Sequence, residues 1–379
     1  MRAFLRVMRG IATWIGLTII MVIASVTLYI AFMAWWGPPR HHSTNVEMFK
    51  EGQWIYQEDS KLGASLIPGS HGRSSANGVI YDSYHGPYGN RLGAPNEQSR
   101  HDAELIFMGC SQAWGQGVAY GDLASTITAK KIGAHSLNLA VPGTGSVYAA
   151  KRLEDLPELS PKYIVYLFYE DHIYRNVRRC APVDNPLCIQ LITAARDPSG
   201  QYQYRYPTYF VEKIGGGVFA LMRRWYLDQY GGSGRLSYWK DAYWVLLDIY
   251  GKAYKALLDN PTVTDPGYRG EVIAAFDFAL GRIAQYAKDR DAEVIVVYVP
   301  NYSYPSHLKP LPEDLRQVLN KYGTRIVDMA EPFNQTIGLE PGDRGIYLFA
   351  IPNDGHLSPL GHAMIAEKIV SALNREPFD

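Results

Sequence analysis

The chain has 379 residues, enough for one large domain with an insertion or for two modest ones. Lys plus Arg and Asp plus Glu balance at 37 each, with no long like-charge run, which excludes the basic footprint of a nucleic-acid binder. The three cysteines form no CxxC-type pair and no HExxH motif occurs, so neither a metal nor another cofactor is expected.

Arg2, Arg6 and Arg9 precede an uncharged, mostly apolar run over residues 10–39, long enough to cross a bilayer and too long for a cleaved signal peptide. Trp35 and Trp36 sit where an interfacial aromatic belt belongs, and Pro38-Pro39 end the helix. The positive-inside bias then keeps the N-terminus cytoplasmic and puts the rest of the chain outside. Residues 1–39 are therefore read as a cytoplasmic stub and signal anchor. Residues 40–103, rich in Gly, Pro, Ser and His, read as a stalk and an irregular hairpin region packed against the main domain, 104–379.

In that domain five apolar runs recur with helix-length spacers: "ELIFMG", "HSLNLAV", "YIVYLFY", "EVIVVYV" and "TRIVDMA". Helical composition fills residues 121–132, "GSVYAAKRLEDL" and "GEVIAAFDFALGRIAQYAKDR". "SPLGHAMIAEKIVSAL" closes the chain, with Ser358 as N-cap and Pro359 at the first helical position. The alternation predicts a doubly wound, five-stranded parallel sheet with helices on both faces. Residues 177–269 interrupt it as an aromatic-rich, helical insertion, in which "LSYWKDAYWVLLDIYGKAYKALL" is read as a helix burying its aromatic face; the other reading is a rim that stacks sugars or rests on a membrane. Within it Cys180 and Cys188 bracket a short loop that a disulfide could close outside the cytoplasm, leaving Cys110 over.

Ligands of such sheets bind at the carboxyl ends of the strands, beside the point where strand order reverses. Four junctions of this sequence belong there. "FMGCSQAWGQGV" offers Ser111 as a nucleophile whose own N–H is one oxyanion donor. "NLAVPGTGS" places Gly143 at a tip where a second N–H can approach. "LFYEDHIYRN" supplies Glu170 and Asp171. "NDGHLSPLGH" supplies Asp354 and His356, an imidazole that titrates in the range a general base needs and a carboxylate to hold its tautomer; His362, in the first turn of the last helix, reads as a surface or capping residue.

With these residues in this order, the chain resembles the SGNH/GDSL hydrolase superfamily, as a membrane-anchored bacterial member with Cys110 where many members carry Asp. The resemblance spans most of residues 59–374. It implies a three-layer, flavodoxin-like fold and an esterase or acyltransferase with Ser111 as nucleophile, His356 as base and an oxyanion hole that includes Gly143. The family's oxyanion Asn falls on Asp171, or on Glu170 in the other register, and an ionised carboxylate would repel an oxyanion. The family's Asp position, three before the His, holds Asn353, and Asp354 stands two before.

The function expected is therefore an extracytoplasmic serine esterase or O-acyltransferase. It would act on acyl groups, expected to be acetyl, of an envelope polysaccharide or glycolipid, from the periplasmic side of a bacterial inner membrane. Two other readings stay open: an SGNH-fold binding or assembly subunit of a polysaccharide modification or export system, and an enzyme whose nucleophile is Cys110.

Overall fold

The structure, a computed structural model, describes residues 55–95 without 77–78, then 97, 99, 101–156, 158–177, 191–207, 266–301, 308–336, 349–351 and 355–374, together with Trp14, Met21 and Ser25. The chain divides into two compact units, and the one formed by Met1–His41 and Gln229–Asn260 lies outside the described residues apart from those last three. The expected signal anchor belongs to it. Among the described residues no helix is long and apolar enough to cross a membrane. The other unit, His42–Asp228 with Pro261–Asp379, carries the fold.

Its framework is the run of parallel strands expected from the apolar segments: β6 (Leu105–Met108), β7 (Ser136–Asn138), β8 (Tyr163–Tyr169), β11 (Glu293–Val299) and β12 (Arg325–Asp328). Side chains of β8 and β11 beyond the first residue are all buried, as both faces of a covered parallel sheet require. The parallel strands lie in the order β12-β11-β8-β6-β7, so the order reverses between β6 and β8.

Right-handed crossovers then put helices on both faces. Helix α2 (Ala124–Ile132) links β6 to β7 in one direction, whereas α3 (Ser146–Glu154), α4 (Pro266–Lys288) and α5 (Glu313–Lys321) serve the opposite direction. Accordingly α3 packs on α4, while the closing helix α7 (Pro359–Leu373) packs on α2. The α7 cap is the expected one, with the Ser358 hydroxyl accepting from the Gly361 N–H at 3.2 Å and proline in the first turn.

The five-stranded, all-parallel sheet needs correction. Among the described residues the sheet has eight strands and is mixed, because the leader adds β3 (His71–Ala76), β4 (Val79–His85) and β5 (Arg91–Leu92) antiparallel beyond β7. The join is a single residue pair, Arg91 with Asn138. What looked like a hairpin region packed against the domain is thus an extension of its sheet. A separate pair, β1 (Tyr56–Asp59) and β2 (Gly63–Leu66), precedes it.

The insertion is not helical throughout: β9 (Thr193–Arg196) and β10 (Tyr202–Arg205) form a hairpin, whereas the helix expected over residues 236–258 lies outside the described residues. Asp197 makes the turn by accepting from the Ser199 and Gln201 N–H groups, each at 2.9 Å, and Gly200 takes φ +86°. Residues 208–265 and the Cys180–Cys188 loop lie outside the described residues.

Candidate active site

The β6 strand ends in a turn that only glycine permits. Gly109 has φ +143°, and a Cβ there would sit 2.7 Å from the Leu167 carbonyl oxygen and 2.8 Å from Ala113 Cβ. This close approach lets the chain turn directly into α1 (Ser111–Trp114). Cys110 caps that helix, its sulfur accepting from the Gln112 N–H at 3.3 Å. Burial raises the Cys110 thiol's pKa, and only 1% of the residue is exposed. A buried thiol whose charged form is penalised is a packing and capping group, the opposite of an activated nucleophile.

Ser111, next in line, presents its hydroxyl to the imidazole expected for it. Ser111 Oγ and His356 Nε2 are 2.9 Å apart although 245 residues separate them in sequence. Gln112 adds a link the sequence reading missed: its Nε2 donates to the Gly355 carbonyl and its Oε1 accepts from the Leu357 N–H, both at 2.9 Å. The loop before α7 is thereby fastened on each side of His356.

The Gly143 turn is anchored to the same junction. Val141 N–H donates to the Gly109 carbonyl at 3.1 Å, and the Thr144 hydroxyl donates to the Val141 carbonyl at 2.8 Å. Gly143 takes φ +83°, and none of the described residues lies within 4 Å of where its Cβ would be. Arg175 donates to the Thr144 carbonyl at 3.2 Å from the other side of the turn.

The expected carboxylates fare differently. Glu170 opens the 3₁₀ segment Glu170–Asn176 after β8, where it accepts from Tyr298 Oη at 3.3 Å and lies 4.0 Å from Arg269 Nη1. Those partners sit on β11 and α4, whereas Ser111 follows β6, so Glu170 is engaged on the far side of β8 from the nucleophile. Asp171 falls in the same segment with its side chain outside the described residues, as are Asn353 and Asp354 altogether. Asn176, at the end of the segment, is fully buried. Its Oδ1 accepts from the Val147 N–H at 3.0 Å, at the start of the helix that follows the Gly143 turn. Its Nδ2 has no hydrogen-bond partner among the described residues. The sequence signal for it was the Asn of "IYRN", five residues beyond the expected position.

His362 is neither at the surface nor a capping group of its own helix: it is buried, and its Nδ1 accepts from the Ala124 N–H at 3.2 Å, tying α7 to α2. Burial, helped by Arg91 and His356, lowers its pKa to about 3. Among the described residues no three His, Cys, Asp or Glu side chains gather as metal ligands would.

No family model and no curated protein matches the chain. Among solved structures it is similar to TesA, at 13% identity over 71% of this chain and 97% of that one, with a TM-score of 0.35. It is likewise similar to a member of the lipolytic G-D-S-L family from Veillonella parvula, at 11% identity over 72% and 98% of the two chains, TM-score 0.36. A third is the acetyl xylan esterase Est2A from Butyrivibrio proteoclasticus, at 11% identity over 73% of this chain and 65% of that one, TM-score 0.32. Likenesses this distant leave the chemistry to be read from the site itself.

Proposed function

We propose that this protein is a serine esterase that removes acyl groups, acetyl first among them, from carbohydrate. The observation that carries the reading is the 2.9 Å pairing of Ser111 Oγ with His356 Nε2, at the carboxyl end of a strand beside the reversal of strand order. In this reading His356 takes the Ser111 proton as the oxygen attacks the ester carbonyl. The tetrahedral oxyanion collapses and expels the sugar hydroxyl, which receives the proton from His356. Water then repeats the sequence on the acyl-enzyme.

The oxyanion would be met by the Ser111 and Gly143 N–H groups and by a side-chain donor. A carboxylate suits that last place poorly, because an ionised carboxylate only accepts. Asp354 is kept as the group that orients His356. Transfer of the acyl group to a second sugar, in place of water, needs no change in these roles.

The apolar run over residues 10–39 and its flanking arginines support an anchored, extracytoplasmic enzyme of a bacterial envelope, acting on a polysaccharide or glycolipid there. The experiment is hydrolysis of an acetyl ester by the full-length chain. Ser111→Ala is expected to abolish it with the circular dichroism unchanged, and a folded Ser111→Ala that hydrolyses normally would end this reading.

A further inference from the structure

We infer that Gln112 is a positioning residue for the base, holding His356 at proton-transfer distance by clasping the backbone on both sides of it. The inference rests on the serine esterase reading above and adds to it a residue that touches neither substrate nor the reacting atoms.

The geometry calls for a side-chain head that both donates and accepts. One end of the Gln112 side chain donates, to the Gly355 carbonyl, and the other accepts, from the Leu357 N–H, each at 2.9 Å. Only a group carrying a donor and an acceptor on one planar head can close both bonds. Gln112 is 5% exposed, so water does not readily replace it in either bond. Gly355 itself takes φ +78°, a conformation that makes the carbonyl available at a tight corner.

The outer side of the same loop is held separately: Ile351 N–H donates to the His356 carbonyl at 2.7 Å, and Ala350 bridges Leu357. His356 therefore hangs from a short backbone segment fixed to residues 350–351 on one side and to α1 on the other. The α1 attachment is the residue directly after Ser111. Nucleophile and base are thus borne on consecutive residues of one turn, the base indirectly. Movement of the last loop relative to β6 would otherwise change the Ser111–His356 distance, and a misplacement of about 1 Å costs on the order of 100-fold in rate.

The test uses the full-length chain and an acetyl ester. Gln112→Met keeps the side chain's length and loses both bonds. It is expected to lower kcat by roughly 30- to 100-fold, to leave KM within about twofold, and to slow fluorophosphonate labelling of Ser111 by the same factor as kcat. A folded Gln112→Met with kcat within about threefold of the wild type would overturn the inference.

Gln112→Glu provides a second measurement should the Met variant not fold. A protonated carboxyl carries both a donor and an acceptor, whereas the carboxylate only accepts and meets the Gly355 carbonyl oxygen. The ratio of its kcat to that of the wild type is expected to climb at least about fivefold between about pH 8 and about pH 5, the side where its carboxyl gains a proton. A flat ratio would overturn the inference. Activity in Ser111→Ala would end the esterase reading itself; an inactive Ser111→Ala beside normal Gln112 variants would end this inference alone.

Discussion

Replacing Arg91 with lysine tests how the leader strands support the nucleophile. Arg91 is 1% exposed, lies with its guanidinium 4.5 Å from the Trp114 ring centroid and 5.5 Å from that of Tyr81, and spends its donors on backbone carbonyls. Nη1 donates to Trp114 at 2.6 Å and to Gly115, and Nη2 donates to Val118 at 2.6 Å. These are the carbonyls at the end of α1 and just beyond it, where a cation is favoured.

Burial lowers the Arg91 pKa to about 10, which still leaves it charged at neutral pH. Lysine keeps the charge but has one compact head on a stem with no planar face, so it cannot span Trp114 to Val118 or stack between two rings. Hydrogen bonds to charged groups contribute roughly 1.5–3 kcal/mol each, and two of them are lost. The ammonium is also more strongly hydrated than the guanidinium, so its burial offsets none of that, and the destabilisation is about 3 kcal/mol or more.

For a unit of this size the thermal midpoint should fall by roughly 6–12 °C, since each kcal/mol shifts it by about 2–4 °C. Thermal unfolding followed by circular dichroism reads this directly. Activity should fall as well, because the Gly115 N–H that closes α1 accepts no slack: it donates to the Ser111 carbonyl at 2.9 Å. A midpoint shift below about 2 °C would refute the assignment of Arg91 as the tie between the leader and α1.

Gly143→Ala meets no atom of the described residues within 4 Å, so the cost read from them is the backbone at φ +83°, on the order of 1–2 kcal/mol. If the Gly143 N–H serves the oxyanion, kcat for an acetyl ester should drop by about 100-fold while KM changes little; an equal effect on both would point to binding alone. His85 and His362 give a pH dependence of stability. Burial lowers their pKa values to about 4 and about 3, so the unfolded chain binds more protons than the folded one below about pH 6.5. Stability should be fully present above that pH and should fall as pH drops, by up to roughly 1.4 kcal/mol per pH unit for each histidine. Urea midpoints measured between about pH 7 and about pH 4 check this, and His362→Gln should flatten the slope.

How much of this was legible in the sequence depended on how local the signal was. β8 and β11 match their apolar runs residue for residue, because strands buried on both faces leave continuous hydrophobic text. The α7 cap was equally local. The sheet extension was not: β5 is two residues long and meets β7 through one pair, and a buried arginine at that pair contradicts the usual exposure of charge. The β9–β10 hairpin carried its own signal, "DPSG" flanked by alternating "QYQYR", which the count of aromatic residues obscured.

At the site, Ser111, Gly143 and His356 were readable because strand ends in a doubly wound sheet converge. Gln112 was hidden by distance, since both its partners lie more than 240 residues away.

The most direct measurement is the site and rate of covalent modification by a fluorophosphonate, read by mass spectrometry on the full-length chain. One adduct is expected, on Ser111, formed as fast in Cys110→Ala as in the wild type and slowed at least about 100-fold in His356→Ala. An adduct on another residue, or an undiminished rate without His356, would contradict it.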